Sequence, residues 1–258
     1  MKASSVVSSL ALLAGSLVSA SPLPCRADKP AAFLLAGDST TAVQSTGGGG
    51  WGTGFLGTLT NGAVGTNYGH NGATTVSFVS GGDWAKVIAD VKSKASKYTP
   101  YVTIQFGHND QKEAAGISVA QFTTNLENLG KQVVSAGGQP IFVTSLSRRK
   151  YNSDGTIKLD LADQVAATIV AANAIGAKYI DLNKGSVAYL EAIGLENATK
   201  YNLVEGDFTH LNAAGSKVFG NLVSGLIGAL GSQFSAYTVE DATIKAAIAS
   251  GTFILPSV

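Results

Sequence analysis

Phe33-Leu34-Leu35-Ala36-Gly37-Asp38-Ser39-Thr40 is the stretch from which the fold is read. Apolar residues run straight into Gly-Asp-Ser-Thr, the pattern of a buried strand of an α/β sheet and the turn that ends it. Ligands of such sheets bind outside the carboxyl ends of the strands. Ser39 is therefore expected at the rim of a cleft, with its hydroxyl free. A hydroxyl is a poor nucleophile until a base activates it. The rest of the chain is read for that base and for donors to an oxyanion.

Working outward, Gly47-Gly48-Gly49-Gly50-Trp51-Gly52 reads as a flexible loop with Trp51 as its anchor. Gly52 to Gly57 matches the dinucleotide pattern GxGxxG, but it does not follow the strand directly and no acidic residue lies about 20 positions on. A helix start packed on the sheet accounts for it. Ala63 to Asn67 reads as a second strand, running into the glycine-punctuated loop His70-Asn71-Gly72. Trp84, Val87, Ile88 and Val91 share a helical face, with Asp83 as N-cap. Tyr101 to Phe106 is a third strand and delivers Gly107-His108-Asn109-Asp110.

Ser118 to Ser135 is a helix stopped by Gly137-Gly138. Pro140 to Thr144 is a fourth strand, followed by the polar loop Ser147 to Gly155. Leu159 to Ile175 is a helix, Lys178 to Leu182 a fifth strand, and Ser186 to Ile193 a short helix. A loop from Glu196 to Thr209 leads to His210. Ala213 to Leu230 is the last long helix, and Val239 to Ala249 a further one. Strands alternate with helices over short connections, which predicts an α/β fold with a doubly wound, parallel, five-stranded sheet. No linker splits 21–258, and there is no internal repeat.

The 258 residues are 45% hydrophobic and 14% charged, enough for a sizeable core and incompatible with a wholly disordered chain. A net charge of +1 gives no reason to expect nucleic acid or an anionic membrane as partner. Lys2, the apolar Val6 to Val18 and the small residues ending at Ala20 have the layout of a secretory signal peptide. Residues 1–20 are set aside on that reading, and the mature chain is expected outside the cell as a monomer. The single cysteine, Cys25, cannot form an intramolecular disulfide. Asn197-Ala198-Thr199 is a glycosylation sequon, expected to face solvent in an exported chain.

Only three histidines exist, His70, His108 and His210, so the search for a base is short. In Asp207-Phe208-Thr209-His210 a carboxylate three residues before an imidazole can reach it. A base oriented by a carboxylate is the second half of an acyl-transfer triad, here in the order Ser39, Asp207, His210. Gly72 and Asn109 leave the same sheet edge as Ser39 if the sheet is parallel. A backbone N–H at Gly72 and the Asn109 amide are donor types that stabilise a tetrahedral oxyanion. His108 structures its loop or touches substrate, His70 lines the cleft or is a plain loop residue, and Asp38 shapes the turn at Ser39. Arg148-Arg149-Lys150 is read as a solvated loop, with contact to an acidic sugar chain as the sharper alternative.

Gly37-Asp38-Ser39, Gly72, Gly107-His108-Asn109-Asp110 and Asp207-Phe208-Thr209-His210 together resemble the four blocks of the SGNH (GDSL-type) hydrolases. The likeness spans roughly Ala32 to Leu226 and is most similar to the fungal rhamnogalacturonan acetylesterases. It implies a three-layer α/β/α fold and deacetylation of a pectic polysaccharide. It also implies Ser39 as nucleophile, His210 as base, Asp207 as its orienter, and an oxyanion hole of Ser39 N–H, Gly72 N–H and Asn109, with no metal or cofactor. The disulfides of well-known relatives are impossible with one cysteine, and the second block lacks the arginine-bearing segment of the pectin enzymes. No Gly-x-Ser-x-Gly elbow is present, against the other large esterase fold. The expected activity is a secreted acetylesterase of plant cell-wall polysaccharide. The alternatives are an esterase or lipase of the same fold and a non-catalytic glycan-binding protein.

Overall fold

The computed structural model describes residues 29–257 and Met1. The expected leader beyond Met1, and Cys25, lie outside the described residues. Five strands, β1 (Ala31–Gly37), β2 (Val64–Asn67), β3 (Thr99–Gln105), β4 (Gln139–Val143) and β5 (Lys178–Ile180), pair in parallel in the order β2-β1-β3-β4-β5. Between and after them come α1 (Gly52–Leu56), α2 (Ser77–Ser80), α3 (Asp83–Lys94), α4 (Val119–Ser135), α5 (Ala162–Ala174), α6 (Leu182–Thr199), α7 (Ala213–Gly228), α8 (Ser232–Ser235) and α9 (Ala242–Ser250).

Successive strand residues point to opposite faces, and each face has its own core. Phe33, Leu35, Tyr101, Ile141 and Val143 pack with Phe55 of α1, Leu190 of α6, Val218 and Phe219 of α7, Phe234 of α8 and Ile244 of α9. Leu34, Ala36, Val102, Ile104 and Phe142 pack with Phe78 of α2, Val87 of α3, Leu126 of α4 and Ala171 of α5. This is the expected three-layer sandwich. All seven residues of β1 are buried, which explains its unbroken apolar run.

Several boundaries differ from expectation for local reasons. Asp83 is the first residue of α3 and not its cap; Gly82 holds the cap position at φ 87°, and the Asp83 carboxylate turns to His70 and Lys86 instead. β5 stops at Ile180 because the Asp181 side chain accepts from Lys184 N–H and starts α6 there. That helix runs well past Ile193, with a break where Gly194 adopts φ 73°. Asn197 therefore lies in its last turns and not in a loop, half-buried, its amide donating to Ile193 O at 3.0 Å. The glycine run is not a free loop either: Gly48, Gly49 and Gly50 are buried, as described below.

Candidate active site

The strand order turns back between β1 and β3, since β2 lies on one side of β1 and β3 on the other. A crevice opens at such a switch point, outside the carboxyl ends of the two strands. Ser39 follows β1 by two residues and Asn109 follows β3 by four.

The Ser39 turn is built by its neighbours. Thr41 N and Ala42 N both donate to Asp38 O at 3.1 Å, closing one tight turn. Asp38 Oδ1 accepts from Thr40 N at 2.8 Å and Thr40 Oγ1 at 2.7 Å, so it shapes the turn as expected. Beneath it, the buried Gln105 side chain donates to Thr40 Oγ1 and accepts from Trp51 Nε1. Gly37 sits where a Cβ would lie 2.8 Å from Gln105 O, so no larger residue fits under the turn.

Four glycine-loop contacts then join this turn to the loop carrying the histidine. Gly49 N donates to Ser39 O at 3.2 Å, Gly50 N to Ala42 O at 2.8 Å, and Trp51 N to Thr40 O at 3.0 Å. Leu211 N donates back to Gly49 O at 2.7 Å. A Cβ on Gly50 would lie 1.9 Å from Thr40 O, and one on Gly49 2.5 Å from Leu211 O. Glycine is needed here for close backbone approach.

The loop between α6 and α7 supplies Asp207 and His210. His210 Nε2 lies 2.8 Å from Ser39 Oγ, and its Nδ1 lies 2.8 Å from Asp207 Oδ2. The other carboxylate oxygen accepts from the N–H groups of Thr209 and His210, each at 2.9 Å. Burial acts to raise the Asp207 carboxyl, but the two N–H groups and the imidazole prevail and hold its pKa below the usual carboxylate value. An ionised Asp207 fixes a proton on Nδ1 and leaves Nε2 free to take one from Ser39.

Beside this chain of contacts is a cavity of about 250 Å³, with Ser39, Gly72, His108, Asn109, Thr209 and His210 in its lining together with Lys112 and Arg148. Among the described residues, the N–H groups of Ser39 and Gly72 donate to no other group. Gly72 holds φ 76° with open space where a Cβ would project, so its glycine serves conformation and not clearance. Asn109 Nδ2 donates to Ala73 O at 3.0 Å, and its Oδ1 accepts from Lys112 Nζ at 2.7 Å. The amide is thus oriented, with one N–H to spare. Asp110 ties the two donor loops together: it accepts from Thr75 N at 2.8 Å, Thr75 Oγ1 at 2.6 Å and Gly107 N at 3.2 Å. Burial pushes the Asp110 carboxyl up, against the pull of Thr75 and with some push from Asp38.

The remaining expected residues separate. His108 is almost fully buried at the cavity wall, its Nδ1 3.6 Å from Asp38 Oδ2 and neither ring nitrogen hydrogen-bonded. Burial would raise the Asp38 carboxyl, but His108 and Thr40 outweigh it and lower it. His70 is not brought to Ser39: exposed and 2.6 Å from Asp83, it lines a neighbouring cavity of about 230 Å³ that shares Gly72. The basic triplet is not one solvated loop. Lys150 alone is exposed; Arg148 is half-buried and bonds Asp160 at 2.8 Å, and Arg149 is completely buried. Sequence reading missed the Gly49 clasp, Gln105 and the inward turn of Arg149. A glycine run flanking a single tryptophan was a usable sign of close packing. Nothing in three consecutive basic residues tells which one points inward.

A strand-end serine, an imidazole oriented by a carboxylate and donors lining the same cavity are the groups that acyl transfer from an ester calls for. The comparisons agree with that class. Residues 35–218 match the GDSL-like lipase/acylhydrolase family, and the chain belongs to it. It is an ester hydrolase of that family. It is 30% identical over 218 residues to the rhamnogalacturonan acetylesterase RhgT of Bacillus subtilis, covering 79% of this chain and 92% of that one. Among solved structures, protein YXIM of Bacillus subtilis superposes with a TM-score of 0.69 at 23% identity, over 80% of this chain and 58% of that protein. Axe2, an acetylxylan esterase from Geobacillus stearothermophilus, superposes with a TM-score of 0.56 at 17% identity, over 76% and 93%. At such identities these two structures speak to the fold.

Proposed function

We propose that the protein is a secreted acetylesterase that removes acetyl groups from an acidic plant cell-wall polysaccharide of the rhamnogalacturonan type, with Ser39, His210 and Asp207 as its triad. The observation that carries the mechanism is the contact chain from Asp207 through His210 to Ser39, at 2.8 Å for each link. His210 Nε2 takes the Ser39 proton as Oγ attacks the acetyl carbonyl carbon. The N–H groups of Ser39 and Gly72 and the spare Asn109 N–H hold the oxyanion. The imidazolium gives its proton to the departing sugar oxygen, leaving acetyl-Ser39. Water deprotonated by His210 then attacks the acetyl group, acetate leaves and Ser39 regains its proton. Asp207 stays ionised throughout.

The substrate reading rests on two supports. The first is the named activity of the relative that shares 30% identity. The second is the cavity, small, with Lys112 and the Asp160-paired Arg148 among its lining residues and no carboxylate in that lining. A short acyl group on an anionic alcohol suits it better than a long acyl chain. The test is free-acetate release from acetylated rhamnogalacturonan and acetylated xylan, set beside turnover of long-chain esters. Acetate released fastest from the acidic polymer, and none by Ser39→Ala, is the expected result. Faster turnover of long-chain esters favours the lipase reading. Export is part of the proposal, and sequencing the secreted chain checks it: its first residue is expected to be Ser21.

A further inference from the structure

Arg149 has a completely buried side chain, yet among the described residues it makes no ion-pair contact within 4 Å. From the loop after β4 it reaches into the loop that carries the proposed acid–base pair. Nε donates to Asn202 Oδ1 at 2.6 Å, and Nη2 donates to Asp207 O at 3.2 Å and His210 O at 2.6 Å. Its backbone N–H donates to Phe208 O at 2.8 Å. One residue thus holds three of the four carbonyls of Asp207-Phe208-Thr209-His210. The loop's own bonds leave those three carbonyls largely to Arg149: Leu203 N donates to His210 O at 3.0 Å, while Asp207 N to Val204 O at 3.1 Å, Asn212 N to Tyr201 O at 3.0 Å and the two N–H groups on Asp207 Oδ1 close it elsewhere.

A guanidinium desolvated on neutral carbonyls is an unfavourable placement, and packing alone would be served by an apolar side chain of similar volume. Burial lowers the Arg149 pKa to about 10, with the Asp207 charge pulling the other way, so it stays cationic at neutral pH. The rigid fork suits a site with several carbonyls to be held at fixed angles, which an ammonium matches only in part.

We infer that Arg149 is a positioning residue for hydrolysis: by fixing the carbonyls of Asp207 and His210, its guanidinium sets the imidazole at hydrogen-bonding distance from Ser39. The inference rests on the triad reading above. Displacing a reacting group by about 1 Å costs on the order of 100-fold in rate. Arg149→Met is therefore expected to lose about 100-fold in kcat on a small acetyl ester with KM little changed, and Arg149→Lys, which keeps the charge and part of the reach, to lose less. Asn202→Ala releases only the Nε end and is expected to lower kcat mildly; it carries the test if the Met variant does not fold. Circular dichroism and thermal melts on every variant accompany the kinetics. Folded Arg149→Met with kcat close to wild type overturns the inference, as does a Lys variant no better than Met. If Met does not fold, an unchanged kcat in Asn202→Ala overturns it. Ser39→Ala is the control: turnover retained there condemns the triad reading itself, whereas a dead Ser39→Ala beside a fully active Arg149→Met condemns only the role of Arg149.

Discussion

Asn109 shows how much a single side chain is told by its neighbours. Lys112 claims its oxygen and the Ala73 carbonyl claims one of its N–H groups, so the amide cannot turn over without losing both bonds. In the proposed mechanism the remaining N–H is the oxyanion donor, and a preorganised donor costs no rearrangement during reaction. Asn109→Ala is expected to lower kcat by about 10²–10³ with a much smaller change in KM, read by steady-state kinetics on an acetyl ester. Residues of this kind were legible from sequence because the chain offers so few alternatives. With three histidines the search for a base was short, and the aspartate three residues before His210 together with the family resemblance made it the candidate. Arg149 was not, because its role depends on a loop that is folded back from more than fifty residues away.

At the scale of elements, the site depends on turns more than on the helices and strands they join. The glycine run binds the Ser39 turn to Leu211, next to His210, entirely through main-chain groups. Gly50→Ala would drive a methyl into Thr40 O and is expected to lower both Tm and activity, checked by melts and kinetics on the same preparation. The α4 cap gives the contrast. Ser118 accepts from Gln121 N at 3.1 Å on an exposed turn that follows the Asn109 loop but contributes no residue to the cavity lining. Ser118→Ala is expected to cost about 1 kcal/mol of stability, a Tm fall of roughly 2–4 °C, with kcat unchanged. Periodicity revealed the strands and the amphipathic α3 and α4, whose apolar stripes face one core. It misread α6, where Ala, Gly and Ser weaken the stripe and a helix continues through the Gly194 break. It misread the glycine run because conformational freedom and close approach call for the same residue.

For the whole molecule, a parallel sheet with its switch point between β1 and β3 puts the serine loop and the donor loops on one edge, and the last loop before α7 closes over them. Asp38 and Asp207 both have folded pKa values below the ordinary carboxylate value of about 3.9. The unfolded chain therefore binds more protons than the folded one as pH falls through that window, and the stability they contribute above it is lost. Asp110, pushed up by burial, has the opposite sign: its contribution is present below about 3.9 and lost as pH rises through its folded value. Tm is expected to drop as pH is lowered from about 4 towards 2, and to drop less steeply in Asp38→Asn, which thermal melts across that range will read. Beneath all of this lies the claim that Ser39 is a nucleophile made reactive by its surroundings in the folded chain. Treatment with a fluorophosphonate, followed by peptide mass spectrometry, addresses it most directly. The account predicts one adduct, on Ser39, formed by native protein and absent from His210→Ala and from denatured chain; native protein that acquires no adduct at Ser39 would contradict it.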